Sequence, residues 1–553
     1  MEGNIPTPTT WRVLGLRLEI DEPESCLRQR AAEKAGIAPE IIRSVRVARK
    51  SLDARVRRGR RTVRFVVHVD IEVAPSGSRQ KLSAALDQAV RSGHVIPQPS
   101  PSPLHLEAIH ASWHGSRRLA VVGAGPAGLF AALALARSGV RVDLFDRGPA
   151  LADRSRAVAR FLRHRALDPE ANLLFGEGGA GTYSDGKIYT RVDHPLESSI
   201  LAELVECGAP PEIAWDARAH IGTDRLHGIL VRLRERLIEA GVRFHWSTCM
   251  TGWRSEERAG ERRVAALQTD SGEVDCDGIV LALGHSAHDT LQRLSEQGLS
   301  LAAKPFQLGV RVEHPQALID QGRYGDPALA GELGAAYYGL SSRRGSGVAA
   351  AHSFCMCPGG QIVASVNVPG LLCTNGMSNS RHSSPFANAA IVTTLGPREL
   401  GPGPFAGVAY RERLERSFFE AGGGDWHAPA QRVPDFLNGQ PSAEVGRSSY
   451  KMGCIPGRID QLLPDEIRAP LQQALRRFDR QIAGFAGREA VLVGIETRSS
   501  GALRISRSED ARLAEGWSNL WPVGEGAGYA GGIMSAAIDG VRTAHALLER
   551  GRD

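Results

Sequence analysis

The chain has 553 residues, a net charge of +6, an apolar fraction of 42% and 62 glycines. Because a single hydrophobic core stops growing near about 250–300 residues, this length predicts two or three domains. The composition is typical of a globular α/β protein and excludes a disordered, collagen-like or repeat protein.

Three features bear on the cellular compartment. The longest apolar run, residues 119–136, is broken by glycine and proline, so it does not predict a membrane span. The first residues lack the basic and apolar segments of an export signal. The eight cysteines are scattered, with only Cys355 and Cys357 close together, as is typical of a reducing compartment. We therefore expect a cytoplasmic protein without a membrane partner.

Residues 1–96 have the pattern of a small α+β domain. Periodicity predicts the following elements: a strand over 11–20, a helix over 24–36, and strands over 42–47 and 62–73. Four prolines at alternate positions then predict an extended linker over 97–109, since each proline disfavours helix in its predecessor.

Positive charge is concentrated between residues 43 and 64, where ten Lys or Arg residues accompany one acid, Asp53. Such a cluster can bind nucleic-acid phosphates. Stacking platforms are missing, because Phe65 is the one aromatic residue near it. We interpret the cluster as a solvated β-hairpin and expect no nucleic-acid partner. A salt-dependent shift of labelled tRNA at physiological ionic strength would overturn this expectation.

Residues 118–146 predict a complete βαβ unit with the motif G-x-G-x-x-G at its first turn. Gly123 permits the tight turn, Gly125 lets the backbone approach a pyrophosphate, and Gly128 lets helix and strand pack closely. The helix N-terminus offers free N–H donors to phosphates. Asp146, near the usual spacing of 20 residues, would accept hydrogen bonds from the adenosine ribose, which argues against a 2′-phosphate. The other residues expected to contact the dinucleotide here are Pro126, Ala127 and Arg147.

The C-terminal region predicts a strand that ends in Gly524 and Glu525, followed by a helix from about 533 to 548. This segment resembles two-domain FAD enzymes of the glutathione reductase type. In those enzymes the acid holds the flavin ribityl chain, and the positive helix end stabilises the anionic reduced flavin. The residues that the resemblance places at the helix start are Gly531, Gly532 and Ile533.

A second nominal G-x-G-x-x-G runs from 526 to 531. Only 22 residues follow it, too few for a second strand with its acid, so we reject a dinucleotide site there. We therefore expect no dedicated nicotinamide domain, and expect NAD(P)H, if it is used, to act as a transient reductant.

The strand over 279–283 leads into Gly284 and is similar to the A-T-G strand of the same flavoproteins, with Leu283 in place of Thr. Taken with this strand, the chain resembles, nearly end to end, a bacterial family of largely uncharacterised FAD-dependent dehydrogenases. The stretches that carry the resemblance are 172–187, 220–225, 304–306, 309–315, 353–360, 375–378 and 496–500.

The resemblance implies an α/β fold with a discontinuous Rossmann-type FAD domain, an inserted α+β substrate domain and the small N-terminal domain. We place the FAD domain at 110–300 and 490–553, and the substrate domain at 301–489. The cofactor implied is non-covalent FAD.

The glycine-rich loop over 172–187 resembles, more distantly, the loop that passes over the flavin in aminoacetone-oxidase-type and succinate-dehydrogenase-type proteins. Gly178 and Gly179 would let backbone lie against the isoalloxazine or pyrophosphate. Ser184 and Asp185 would hydrogen-bond its polar edge.

Four side chains are candidates for catalysis. Lys187 can polarise the flavin N5 or an anionic substrate, or be an ordinary solvated lysine. His285 can donate a proton or cap its loop, with the cap favoured. Arg498 and Arg504 can bind a substrate carboxylate, or form internal ion pairs with a partner such as Glu496.

The pair Cys355 and Cys357 is separated by one residue, a spacing that strains a disulfide, so we expect buried structural thiols more than a redox pair. No zinc pattern, P-loop or serine elbow accompanies them, and no metal is expected.

Together these features predict an FAD-dependent oxidoreductase, a dehydrogenase or reductase that exchanges hydride between the flavin N5 and a small organic substrate. The alternative is a monooxygenase that uses NAD(P)H and O₂, and a less favoured alternative is a flavoprotein that acts on RNA through its basic N-terminal domain. Substrate identity and oligomeric state are not specified by the sequence.

Overall fold

The computed structural model describes residues 10–57, 60–73, 79–98, 101–106, 117–190, 192–258, 260–345 and 347–550. The chain divides into two compact units. The first comprises Met1–Ser102, Asp193–Val205 and Pro210–Ala219, and the second comprises Pro103–Val192, Glu206–Ala209 and His220–Asp553.

The first unit is built on an antiparallel sheet with strand order β2-β5-β1-β6. Its first eight elements are β1 (Thr10–Leu18), α1 (Leu27–Ala35), β2 (Ile42–Asp53), β3 (Val56–Arg57), β4 (Arg60–Arg61), β5 (Arg64–Val73), α2 (Arg79–Arg91) and β6 (Val95–Pro97). Alternate residues of β1 and β5 are apolar, and Val13, Val67 and Val69 are fully buried in one core with residues of α1.

The basic stretch forms a β-hairpin, with β2 paired antiparallel to β5 and the short strands β3 and β4 at its end. Several of its charges are used within the unit. Arg46 lies 3.1 Å from Asp70, and Lys50 lies 2.7 Å from Glu24. Part of the positive charge between 43 and 64 is therefore already neutralised by the chain itself.

Beyond residue 117 strands and helices first alternate along the chain, and the later strands pair mainly in antiparallel sheets. The helices are α3 (Pro126–Arg137), α4 (Leu151–His164), α5 (Leu196–Glu206), α6 (Thr223–Glu239), α7 (His288–Glu296), α8 (Gln316–Tyr324), α9 (Leu329–Leu333), α10 (Pro397–Leu400), α11 (Ala406–Ala421), α12 (Val433–Asn438), α13 (Ile459–Leu462), α14 (Asp465–Asp479) and α15 (Ile533–Arg550). The strands are β7 (Arg118–Val122), β8 (Arg141–Phe145), β9 (Arg243–His245), β10 (Met250–Arg258), β11 (Glu261–Thr269), β12 (Gly272–Asp275), β13 (Gly278–Leu281), β14 (Leu301–Ala303), β15 (Phe306–Pro315), β16 (Ala351–Cys357), β17 (Gly360–Ala364), β18 (Thr374–Ser378), β19 (Phe386–Leu395), β20 (Ala428–Arg432), β21 (Cys454–Pro456), β22 (Val491–Glu496), β23 (Leu503–Ile505) and β24 (Leu520–Pro522).

A parallel sheet with strand order β24-β13-β7-β8-β9 forms the Rossmann part of the second unit. Its strands are buried and consist largely of apolar residues, as expected for a parallel sheet covered on both faces. The chain winds to β8 on one side of β7 and to β13 on the other, so the loop after β7 lies at a topological switch point, where open α/β sheets bind ligands. The predicted Rossmann-type α/β fold is confirmed.

A six-stranded sheet with order β16-β19-β15-β22-β20-β21 forms most of the region between 301 and 496. Its pairs are antiparallel except β20 with β21. The smaller sheets are β10-β11-β12, β14-β23 and β17-β18. Among the described residues, none of the helices combines the length and apolar character needed to cross a bilayer.

Candidate active site

The glycine turn after β7 is as tight as the motif requires. Gly123 has φ +112°, and a Cβ there would overlap the carbonyl of Ala282. A Cβ on Gly128 would overlap the carbonyl oxygen of Gly123. These two positions therefore accept no side chain, because the turn, α3 and the strand beside it are in backbone contact.

Gly125 differs, because the packing of the protein itself does not require a glycine at this position. It is the N-cap of α3, supplies no side-chain cap, and has an ordinary φ of −81°. A Cβ at this position would meet only the Cα of Gly179, at 3.9 Å. The first turn of α3, with Pro126 at its start, therefore presents uncapped N–H groups of the kind that bind phosphate.

The flavin loop, which we define as residues 176–187, lies against this turn. The backbone N–H of Gly178 donates to the carbonyl of Ala124 at 2.8 Å. A Cβ on Gly179 would lie 3.0 Å from the Cα of Gly125. The glycines of the loop therefore let two stretches of backbone approach closely at the carboxyl edge of the sheet.

Asp146 directly follows β8 and is 7% exposed. Its carboxylate accepts backbone N–H groups of Ala124 at 2.7 Å, Gly148 at 2.8 Å and Gly176 at 3.1 Å. Burial raises its pKa, and these hydrogen bonds oppose that shift. A carboxylate has about four acceptor positions, so capacity remains for a ribose hydroxyl, and the ribose contact stays a prediction.

Arg147, also predicted to contact the cofactor, is engaged by two acids. Its guanidinium lies 2.5 Å from Glu170 and 2.9 Å from Asp289 and stacks 4.3 Å above the ring of Phe175. These contacts fix the loop after β8, which is a positioning role.

A second helix begins at the same edge. Gly531 and Gly532 precede α15, and a Cβ at either would meet nothing within 4 Å. The same holds for Gly284, which follows β13 with φ +71°. A Cβ on Gly181 of the flavin loop would approach Ile533 at 3.0 Å, so this loop also reaches the start of α15.

These positions test the fit to FAD. A Cβ would meet nothing within 4 Å at Gly284, Gly531 and Gly532, and only one atom, at 3.9 Å, at Gly125. Nearby, α3 and α15 pack so closely that a Cβ on Gly540 would overlap Ala127. Two helix N-termini and bare backbone suit a long, flat, doubly anionic ligand. The residues present therefore fit FAD.

Glu525 lies in the turn between β24 and α15, where burial raises its pKa to about 7 and Lys304 opposes the rise. Burial also disfavours the charged form of Lys304, whose pKa is lowered. Glu525 accepts a backbone hydrogen bond from Gly532 and has further acceptor positions, which the predicted ribityl hydroxyls would fill.

This raised pKa gives a pH-dependent prediction for FAD-free protein. Between pH 4.5 and 7 the folded state holds a proton on Glu525 that the unfolded state has lost, so stability falls as pH rises. We expect Glu525→Gln to be more stable than wild type at pH 8, by about 1–3 kcal/mol in urea titrations, and equally stable near pH 4.5. FAD should abolish the difference by stabilising the carboxylate. The exposed Glu509→Gln is the matched control, and parallel pH profiles for Glu525→Gln and wild type would contradict the assignment.

Ser184 and Asp185, at the end of the flavin loop, do different things. The Ser184 hydroxyl donates to the carbonyl of Gly181 at 2.7 Å and accepts the N–H of Gly186 at 3.1 Å, which closes the loop. Asp185 has a side chain only 2% exposed and contacts Lys187, His220 at 2.9 Å and the hydroxyl of Ser378. Although burial alone would raise its pKa, Lys187 and His220 hold that pKa well below its usual value.

Lys187 is not a solvated lysine, since its side chain is 22% exposed and its ammonium is enclosed by partners. Besides Asp185 it donates to the carbonyl of Met356 at 2.5 Å and lies 3.8 Å from the sulfur of Cys355 and 4.0 Å from that of Cys357. Burial alone would lower its pKa, but Asp185 and the thiols raise it well above its usual value. Lys187 is therefore a fixed cation.

The other three candidates have partners outside this cluster. His285 shares a hydrogen bond of 2.9 Å with Ser286, as a capping residue would, and burial with nearby arginines lowers its pKa to about 4. Arg498 forms an internal ion pair, with Glu415 at 2.8 Å in place of Glu496. Arg504 is exposed and lies 5.1 Å over the ring of Tyr529. The two guanidiniums thus have separate partners.

The buried residues that adjoin Lys187 were not predicted from the sequence. Arg311 of β15 is fully buried and lies 2.5 Å from Glu496 of β22. It also donates to Asn388 of β19 at 2.9 Å and to the carbonyl of Cys355 at 2.8 Å. Burial raises the pKa of Glu496 to about 7. These residues lie in or near the stretches that carry the family resemblance, but only the sheet brings them together.

Comparison with family models gives three matches. Residues 305–499 match the FAD-dependent protein, C-terminal domain-like family, and residues 121–177 match the NAD(P)-binding Rossmann-like domain. Residues 11–72 match a domain of unknown function. An uncharacterized protein of Clostridium beijerinckii is 34% identical over 542 residues, which cover 98% of each chain.

Solved structures of flavoenzymes are more distant. Glycine oxidase from Geobacillus kaustophilus is 15% identical, with 79% of this chain and 95% of that chain covered and a TM-score of 0.30. NikD, an amino acid oxidase of nikkomycin biosynthesis, is 12% identical, with 78% and 94% covered and a TM-score of 0.30. Sequence identities and TM-scores this low give no information about the substrate of this chain.

The Rossmann unit, the matched FAD-dependent domain and the cradle of bare glycines define the chain as an FAD-dependent oxidoreductase. Its near full-length match to the Clostridium beijerinckii protein shows a shared family, and the chain belongs to this family of FAD-dependent oxidoreductases. The predicted family, enzyme class and FAD cofactor are thereby confirmed.

Proposed function

We propose that the chain exchanges hydride between FAD and a small organic substrate, at a site where the end of the flavin loop meets β15, β16 and β22. Bound FAD supplies the hydride acceptor or donor. The protein has to bind the substrate, orient it and move a proton. The observation that carries the proposal is the cluster at the end of that loop, in which the buried Asp185 contacts the partly buried Lys187 and His220.

Each member of the cluster has a distinct task in this proposal. Lys187 remains protonated, so it binds and orients an anionic or carbonyl oxygen of the substrate. Asp185 remains ionised and holds Lys187 and His220 in place. His220 shares hydrogen bonds with Asp185 and, at 3.1 Å, with Ser378, so it is the group placed to accept or donate a proton.

Cofactor contacts follow from the same geometry. The uncapped start of α3 at Gly125 would bind the pyrophosphate, Asp146 the adenosine ribose and Glu525 the ribityl chain. The start of α15 would face the flavin ring, where its positive end favours the reduced anion. Bare backbone at Gly284 leaves room beside it.

Anaerobic stopped-flow absorbance near 450 nm tests the proposal. NADH or NADPH is added alone, and small organic acids and carbonyl compounds are added in parallel. Bleaching by an organic substrate, with no bleaching by nicotinamides, is the expected result for a substrate-reduced dehydrogenase. Fast bleaching by NAD(P)H followed by oxygen insertion would instead establish the monooxygenase. A preparation with no yellow chromophore and no affinity for FAD would contradict the assignment altogether.

A further inference from the structure

A pair of thiols beside Lys187 is not used by the proposed hydride transfer. We propose that Cys355 and Cys357 form a peroxide-reactive dithiol site, in which Cys355 is the nucleophile and Cys357 the resolving thiol. Its substrate class is a small hydroperoxide. The inference does not depend on the identity of the hydride donor.

The backbone at Cys355 is the first observation. This residue has φ +42°, in the left-handed region that residues other than glycine seldom occupy. It lies at a bulge in β16, where the pairing with β19 shifts between Phe354 and Cys357. A left-handed backbone conformation costs free energy for a residue other than glycine, and such residues are found most often at functional sites.

The bulge brings both sulfurs to one cation. The ammonium of Lys187 lies 3.8 Å from the sulfur of Cys355 and 4.0 Å from that of Cys357. Arg311 lies 3.9 Å from the sulfur of Cys357 and donates to the carbonyl of Cys355. Two thiols under one ammonium, next to a guanidinium, form the electropositive environment that activates cysteine.

Charge balance favours a thiolate at Cys355. Lys187 and Arg311 are cations and Asp185 is an anion. Because burial raises the pKa of Glu496 to about 7, this carboxyl group only partly balances the second positive charge near neutral pH. Hydrogen bonding from Cys357, reinforced by Lys187 and Arg311, lowers the pKa of Cys355, whereas that of Cys357 is raised. Cys355 is partly accessible and Cys357 is fully buried, as suits an attacking and a resolving thiol.

The chemistry balances with a hydroperoxide as the only oxidant. The Cys355 thiolate attacks one peroxide oxygen, the O–O bond breaks, and the departing hydroxide takes a proton to leave as water, which gives a sulfenic acid. The Cys357 sulfur then attacks the Cys355 sulfur, the S–O bond breaks, and a second water leaves. Two thiols are oxidised to one disulfide as H₂O₂ is reduced to two waters. A disulfide across one residue is strained, so an external thiol readily reduces it again.

The experiment uses the FAD-bound full chain, reduced with dithiothreitol and desalted. H₂O₂ is added, remaining thiols are alkylated, and tandem mass spectrometry locates each modification. We expect loss of two hydrogens across Cys355 and Cys357 at least about tenfold faster than oxidation of Cys26 or Cys454, and full reversal by dithiothreitol.

Two variants separate the roles. Cys357→Ser should stop at the sulfenic acid, which dimedone traps at Cys355, whereas Cys355→Ser should abolish the fast reaction. Cys454→Ser is the matched control and should react as wild type does, since burial raises the pKa of Cys454 to about 12. If Cys355 oxidises no faster than Cys26, or Cys357→Ser gives no dimedone adduct while its flavin spectrum is native, the proposal is wrong. These thiol readouts are independent of flavin reduction, so failure of the proposed function would leave them unaffected.

Discussion

Gly125→Ala is expected to fold normally and to lose most of its affinity for FAD. The free protein has room for the methyl group, because its nearest neighbour would be the Cα of Gly179 at 3.9 Å and φ is −81°. The proposed pyrophosphate would occupy that room. A forced overlap of this kind costs about 1–3 kcal/mol, which corresponds to a Kd weaker by roughly 5- to 150-fold. Fluorescence titration of FAD into apoprotein measures the change.

Gly228→Ala is the matched control for this substitution. Gly228 lies within α6, and a Cβ there would meet nothing within 4 Å. Alanine should stabilise the helix by up to about 1 kcal/mol without affecting FAD. By contrast, Gly128→Ala should destabilise the protein itself, because its Cβ would overlap Gly123. Wild-type affinity in Gly125→Ala would mean that the pyrophosphate does not lie at this turn.

The parts of the structure that follow from local sequence were predictable. The βαβ unit over 118–146 places its strand, turn and helix within one short segment, and Gly128 packs against Gly123 inside that segment. The helix α15 was also predicted, although it extends to Arg550. The helix α2, which lies between β5 and β6, was not predicted.

The candidate site depended on long-range pairing and could be predicted only in part. Lys187 and Asp185 were identified from the flavin loop, but Ser378, which donates to Asp185, lies 193 residues further along the chain. Arg311 meets Glu496 because β15 pairs with β22, a register that no local pattern specifies. For Arg498 the sequence left a substrate carboxylate and an internal ion pair open, and the acid that it contacts is Glu415 of α11.

Lys187→Met is expected to give the largest loss of activity among single substitutions in the cluster. If Lys187 stabilises charge that develops on the substrate, its removal should slow flavin reduction about 10²–10³-fold, the usual effect of losing one such donor. The variant also leaves Asp185, 2% exposed, without its ammonium partner. Breaking a buried pair in this way costs about 3–5 kcal/mol of unfolding free energy, so the single variant alone confounds chemistry with stability.

The double variant Asp185→Asn with Lys187→Met separates the two effects. Replacing both charges removes the uncompensated buried carboxylate, so much of the lost stability should return, as a double-mutant cycle in urea would show. The rate of flavin reduction, measured by stopped flow with whichever electron donor the anaerobic assay identifies, should remain low because the cation is still missing. Lys187→Arg keeps that charge and should retain part of the rate. If the double variant recovers both stability and rate, Lys187 is a structural partner of Asp185, and the site of hydride transfer lies elsewhere along the glycine cradle.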